Sequence, residues 1–339
     1  MFDERIGGPH YDAGNGSISM KACVITTPGG PESLSLVDMP FSPTRPDDAV
    51  MRITASGVNR ADILQREGRY PAPPGAPAWP GLEAAGTLLT APASSPWSPG
   101  DRVCALLPGG GYAERVAVDA SLLLPVPDGL TDVEAASLVE AACTVVSNLD
   151  EAGARPGETL LVHGGSGGVG TAAIQIAKAR GMRVITTAGG PERTARCAEL
   201  GADVALDHRA DDWAQAVRDE GGADVILDVV GAAYLEANLR ALRTGGRLVV
   251  IGMQKGARGE LDLGTLLAKR ARVIGTTLRA RPLAERAAIV ARVREEVWPL
   301  VPDRLRPIVH ATLPLERAGD AHRLLESGEV FGKVVLTVA

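Results

Sequence analysis

Aromatic residues make up only 3% of this 339-residue chain, so no aromatic cluster can dominate its core, and Ala, Val, Leu and Ile must fill it. Four cysteines, Cys23, Cys104, Cys143 and Cys197, lie far apart, with no C-x-x-C pair and no His at ligand spacing. That argues against a disulfide framework and a structural zinc site, and it fits a reducing cytoplasm. Runs of Lys or Arg are missing and the net charge is -6, which leaves no electrostatic footprint for nucleic acid or an anionic membrane. Long apolar runs are also missing. The longest are strand-sized and broken by Gly or charge, and no apolar core follows a basic N-terminal region, so the chain reads as neither membrane-spanning nor exported. These exclusions favour a small-molecule partner.

What is present points to two domains, since the length exceeds that at which single cores usually stop growing. Apolar residues reach 45%, charged residues 22%, and glycines number 40. Residues 1–19 lack periodicity and read as a disordered extension, with Met20 as a natural start. From Met20 to about Val126, short β-like runs (50–54, 85–89, 102–106 and 115–118) alternate with Pro and Gly. The Pro-rich segment 70–77 lacks the amide donors of a regular element and reads as an extended loop. Beyond Thr131 the texture changes. Strand candidates at 159–163, 183–187, 203–206, 225–230, 247–251 and 272–276 alternate with segments of helical periodicity at 169–179, 192–200, 211–219 and 235–242. This predicts βαβ units and a six-stranded parallel sheet. Residues 286–297 read as helical, and the tail from Ile308 returns to β texture.

The segment His163-Gly164-Gly165-Ser166-Gly167-Gly168-Val169-Gly170 follows a buried-type strand and opens an amphipathic helix. Gly165, Gly167 and Gly170 keep the G-x-G-x-x-G spacing, which supplies a tight turn, room for amides to approach a pyrophosphate, and close packing of helix on strand. The unpaired first amides and positive end of the helix offset phosphate charge. Ser166, Gly168 and Val169 share the loop and its expected contact. An NAD site would place Asp or Glu at the end of the second strand to hold the ribose 2'-hydroxyl. Ala188-Gly189-Gly190 stands there instead, leaving space for a 2'-phosphate that Arg193 or Arg196 would pair with. The alternative is that both arginines are solvated charges on a helix face. NADPH is the expected cofactor.

With those residues in place, the chain from Met20 to Ala339 resembles the medium-chain dehydrogenase/reductase superfamily and, within it, the zinc-free quinone oxidoreductases. Gly57-Val58-Asn59-Arg60-Ala61-Asp62, Pro80-Gly81-Leu82-Glu83-Ala84-Ala85-Gly86, Ala105-Leu106-Leu107-Pro108-Gly109-Gly110-Gly111 and Thr277-Leu278-Arg279-Ala280-Arg281 look like the branch containing the tumour-suppressor-inducible quinone oxidoreductase. The resemblance implies an α/β fold. A GroES-like β domain over 20–142, completed by 281–339, would flank a Rossmann domain over 143–280 with a doubly wound parallel sheet. The positions of the superfamily's catalytic zinc ligands appear in this sequence as Asn59, Leu82 and Glu140, which cannot make a three-ligand site, so no metal is expected.

By the same resemblance Asn59 and Tyr70 are the catalytic candidates near nicotinamide and substrate, and Thr144 lies by the nicotinamide ring. Gly189, Gly190 and His208 would border the adenosine, with Gly190 standing where a Ser often touches the 2'-phosphate and His208 where relatives commonly carry Tyr. Gly231, Gly252 and Met253 follow strand ends that face the cofactor, and Phe331 and Lys333 complete the expected set. The expected reaction is hydride transfer from NADPH to a quinone, whose developing oxyanion the Asn59 amide or Tyr70 hydroxyl stabilises, with the proton ultimately from water. Asn59 as a turn cap and Tyr70 as packing for the prolines are the structural alternatives. The rivals are reduction of the C=C bond of an enone or alkenal, and NADPH binding without turnover. The edge at 272–276 needs covering, and the family's homodimer uses it.

Overall fold

The computed structural model describes residues 18–41, 45 and 48–339. The expected N-terminal extension lies outside the described residues except for Ile18 and Ser19, which already belong to a strand. In chain order the first part contains β1 (Ile18–Ile25), β2 (Leu34–Phe41), β3 (Asp48–Val58), α1 (Arg60–Arg66), β4 (Glu83–Thr90), β5 (Arg102–Leu106), β6 (Arg115–Asp119), β7 (Leu123–Pro125), α2 (Asp132–Ala136) and α3 (Val139–Glu151). There follow β8 (Thr159–His163), α4 (Gly168–Ala179), β9 (Arg183–Ala188), α5 (Pro191–Glu199), β10 (Val204–Asp207), α6 (Trp213–Asp219), β11 (Ala223–Asp228), α7 (Leu235–Ala241), β12 (Leu242–Val250), α8 (Leu263–Lys269) and β13 (Arg272–Gly275). The chain closes with α9 (Leu283–Glu296), β14 (Val309–Pro314), α10 (Ala318–Glu326) and β15 (Lys333–Thr337).

The strands β8 to β13 form a six-stranded sheet in the order β10-β9-β8-β11-β12-β13, parallel at every pair. This is the doubly wound arrangement, with the chain reversing direction of travel on either side of β8. All five residues of β8 are buried, as a strand covered by helices on both faces requires. Its Leu160, Leu161 and Val162 contribute roughly 1.5–3 kcal/mol each by leaving water. Alternation along the strands sorts their side chains. Leu160, Val162, Val184 and Val225 join the apolar cluster that includes α3 and the first sheet, while Leu161, Ile185 and Ile226 face the smaller cluster around Trp213 and Leu248.

The other large sheet runs β14-β15-β3-β4-β5-β7, with β6 paired to β3. The C-terminal β15 lies antiparallel to β3, Val334 opposite Val58, so both chain ends build the GroES-like sheet. The expected boundary between residues 142 and 143 falls inside α3, whose residues from Val139 to Leu149 are buried except Glu140. The tail expected to be β in texture also contains α10. No helix among the described residues is long and apolar enough to cross a membrane.

Candidate active site

The Gly-rich turn divides its glycines by task. A Cβ on Gly165 would lie 2.0 Å from Thr186 Oγ1, and one on Gly170 would lie 2.2 Å from the Gly164 carbonyl oxygen; the packing of the protein on itself demands both. A Cβ on Gly167 would meet only the Gly164 oxygen, at 3.5 Å. The space beside Gly167 is therefore free for something other than protein. Gly167 precedes the first turn of α4, whose amides have no intrahelical acceptor and face outward with the positive helix end. Gly168 serves a neighbour, since a Cβ there would collide with the Lys333 stem at 2.3 Å.

At the far end, β9 closes on Ala188, and Gly190, at φ +91°, turns the chain into α5. Asp207 Oδ1 accepts from the Gly190 amide at 2.9 Å. Arg193 donates to the Gly328 carbonyl oxygen, and the Arg196 guanidinium lies 3.7 Å from the centre of the Phe331 ring. Both arginines thus reach the C-terminal segment. The cation beside the turn is Arg209, whose guanidinium would stand 3.1–3.2 Å from a Cβ on Gly189. Arg209 was not among the expected residues. Its signal is the parallel register of β10 on β9, which sets Asp207 opposite Ala188 and carries His208 and Arg209 to the same corner. Phe331 itself is buried at 2% exposure beneath Arg196.

Beyond Gly168, reached by the Lys333 stem, lies a buried polar cluster. Lys333 Nζ donates to Asn59 Oδ1 at 2.6 Å and to Glu83 Oε1, and Asn59 Nδ2 donates to the same Glu83 oxygen at 2.9 Å. Glu83 Oε2 accepts from the Glu140 amide at 2.9 Å, and Thr144 donates to Glu140 Oε1 at 3.0 Å. Glu83 is fully buried and Lys333 nearly so, so their charges offset each other away from water. Asn59 also stands just before α1, its amide held by Asp62 Oδ2 at 2.8 Å. Burial raises Asp62 to about 6, against the lowering effect of the Gly81 and Asn59 amides. Asn59 therefore ends the strand, starts the helix and keeps one amide hydrogen without a protein partner among the described residues.

Tyr70 is part-buried beneath Arg279, the guanidinium 5.3 Å from the ring centre. Arg279 also donates to the carbonyls of Pro108 at 2.6 Å and Tyr70 at 3.3 Å, and to Gln65 at 2.8 Å, fixing the Pro-rich loop against the Rossmann exit. Burial is the chief cause raising the Tyr70 hydroxyl above its ordinary value, with Arg279 opposing. Gly231, at φ +85°, and Gly252 follow β11 and β12; a Cβ on either would meet backbone at under 3 Å. Met253, beside them, is 62% exposed. His163 is a core residue: Thr187 and Asn238 bind its two nitrogens at 3.0 and 2.7 Å, and burial lowers it to about 4.

Two family descriptions match the chain, Alcohol dehydrogenase GroES-like domain over residues 45–128 and Zinc-binding dehydrogenase over residues 168–293. A quinone oxidoreductase of Rattus norvegicus is 31% identical over 332 residues, 94% of this chain and 97% of that protein. The chain belongs to the medium-chain dehydrogenase/reductase superfamily. Among solved structures, the quinone oxidoreductase from Thermus thermophilus, determined also in complex with NADPH, superposes with a TM-score of 0.80 at 36% identity, covering 94% of this chain and 99% of that one. A mycocerosic acid synthase-like polyketide synthase of Mycobacterium tuberculosis is 33% identical over 93% of this chain, which spans only 15% of that protein's length.

The donor set of this superfamily member does not fit a catalytic zinc ion. Leu82 has no ligand atom, Asn59 is engaged by Lys333 and Glu83, and among the described residues no three His, Cys, Asp or Glu side chains converge. The opening at Gly167, the α4 amides and the Arg209 corner do fit a phosphorylated dinucleotide lying across the ends of β8, β9 and β11.

Proposed function

We propose that this protein is a zinc-independent NADPH:quinone oxidoreductase of the tumour-suppressor-inducible branch. One observation carries the reading: a glycine turn open at Gly167 is joined, through the Lys333 stem against Gly168, to the buried cluster of Asn59, Glu83, Glu140 and Thr144. Gly165, Ser166, Gly167, Gly168, Val169 and Gly170 hold the pyrophosphate. Gly189, Gly190, His208 and Arg209 border the adenosine 2'-phosphate, with Arg193 a step further out, while Gly231, Gly252 and Met253 follow the strand ends and Phe331 packs under Arg196. Bound NADPH supplies a hydride from its dihydronicotinamide. The chain's residues orient the two flat rings, with Thr144 beside the nicotinamide, and the free Asn59 amide hydrogen and the Tyr70 hydroxyl meet negative charge growing on the acceptor oxygen. Lys333 acts by holding Asn59 and Glu83.

The β13 edge carries Val273 at 40% exposure, flanked on α8 by Leu263 at 61% and Leu267 at 77%, which supports a homodimer closed through that edge. We place the protein in the cytoplasm on its four free, buried cysteines. Reduction of an enone or alkenal C=C bond is the second reading, favoured by the carboxyl of Glu140 in the crevice, because a reduced carbon must gain a proton as well as a hydride. The test follows NADPH oxidation with a naphthoquinone and with an alkenal, before and after chelator treatment. Quinone-dependent oxidation that survives chelation is expected. A strong preference for the alkenal assigns the second reading, and tight NADPH binding without any turnover removes the enzyme assignment.

A further inference from the structure

We infer that Glu140 is the acid that delivers the proton to the reduced acceptor, a role that rests on the oxidoreductase reading above. Glu140 is the member of the buried polar cluster that lines a small cavity with Leu82, Leu106, Leu107, Leu278, Arg279 and Arg286. Four of the seven lining residues are leucines, so the surface that faces the carboxyl is largely apolar. Thr144 binds Oε1 of Glu140, and Oε2 has no hydrogen-bond partner among the described residues. The carboxyl thus has one oxygen fixed and one free, at the junction of the ring-facing Thr144 and the apolar cavity.

The charged surroundings of Glu140 come from every element around it. Glu83 on β4 and Asp62 on α1 are anions, Lys333 on β15 is a cation, and Arg279 and Arg286 approach from the Rossmann exit and α9. Desolvation is the largest influence and raises the carboxyl to about 7; Lys333 and the Thr144 hydroxyl oppose it, while Glu83 and Asp62 add to it. At neutral pH a large share of Glu140 therefore holds a proton. The step balances simply. The hydride carries two electrons from the dihydronicotinamide to the acceptor, which becomes an anion. The O–H bond of Glu140 then breaks, its proton joins the acceptor oxygen or carbon, and the Glu140 carboxylate regains a proton from cleft water.

The experiment measures kcat against pH, with the solvent deuterium isotope effect, for wild type and Glu140→Gln. Wild-type kcat is expected to hold steady at mildly acid pH and fall above about 7, because the donor must be protonated. Glu140→Gln should lose about a hundredfold in kcat, lose the alkaline break and most of the solvent isotope effect, and keep its NADPH affinity and melting temperature. A variant with wild-type kcat and the same break overturns the inference, as does a loss confined to KM. If Glu140→Gln fails to fold, Thr144→Val takes its place: removing the hydroxyl that lowers Glu140 should move the break to higher pH, and an unmoved break overturns the role. An infrared titration of the apoprotein reads the group without turnover. A protonated-carboxyl band that disappears near pH 7 in wild type and is missing in Glu140→Gln is expected, and an unchanged band in the variant overturns the assignment. Should wild type oxidise NADPH with neither the naphthoquinone nor the alkenal, the oxidoreductase reading fails, whereas turnover without an alkaline break fails the Glu140 role alone.

Discussion

Replacing Gly167 with Val separates cofactor binding from folding. Gly167 sits at φ -83° and ψ 173°, an extended geometry open to any residue, and its added Cβ would touch only the Gly164 oxygen, at the ordinary distance of 3.5 Å. The effect on stability is the small sum of a poorer helix cap and a stiffer unfolded chain, within about 1 kcal/mol. The melting temperature should shift by no more than roughly 4 °C. The isopropyl group would instead fill the space through which a pyrophosphate reaches the first amides of α4. Losing two charge-assisted hydrogen bonds at about 1.5–3 kcal/mol each weakens NADPH by about 3–6 kcal/mol, roughly a hundredfold to ten-thousandfold. Gly170→Ala is the counter-case, since its Cβ would lie 2.2 Å from the Gly164 oxygen and should damage the fold itself. The assay is NADPH titration by fluorescence, with thermal melts by circular dichroism on the same samples. A Gly167→Val protein that melts normally and binds NADPH with unchanged affinity would refute the pyrophosphate assignment.

Two further changes address the adenosine corner and the core. Arg209→Ala should weaken NADPH about tenfold or more while leaving NADH nearly unaffected, and Arg193→Ala should do less, because Arg193 is committed to the Gly328 carbonyl; equal losses for both cofactors would sink the 2'-phosphate contact. For His163, the folded value of about 4 lies below the ordinary 6.5, so the unfolded chain takes up a proton that the folded one refuses. Wild type should lose stability relative to His163→Gln as pH falls from about 6.5 to about 4, by up to roughly 3 kcal/mol, measured by urea unfolding at each pH. A pH-independent difference would mean that His163 titrates normally.

The Rossmann half was legible because its strands are continuous apolar runs between glycine turns, and β8, β9, β11 and β12 fall where those runs stand. Helix α3 was not, since it is buried on nearly all sides and a short run of Ala, Cys and Val reads no more as helix than as strand. The site divides in the same way. Gly165, Gly167 and Gly170 announce themselves by local spacing, whereas Lys333 and Glu83 meet across 250 positions, and no local pattern encodes that meeting. Arg209 escaped because counting forward from the second strand leads to the helix after it, while the register of the third strand brings a different arginine to the corner. Glu140 looked like the remnant of a metal position. Only the fold sets its carboxyl beside four leucines of one cavity.

The last strand links these parts. Gly332 donates its amide to the Ser166 carbonyl at 2.8 Å, so the entry to β15 is stitched to the glycine turn. One residue later, the stem of Lys333 passes Gly168 closely enough that a methyl group there would collide, and its ammonium reaches Glu83 and Asn59. The lysine expected to touch cofactor is thus spent on holding the opposite wall. Its charge works in two directions at once: it compensates Glu83, which would otherwise be a buried lone anion costing several kcal/mol, and it restrains the rise of Glu140. The glycine turn and the cluster of Asn59, Glu83 and Glu140 are therefore joined through two adjacent residues of the C-terminal strand.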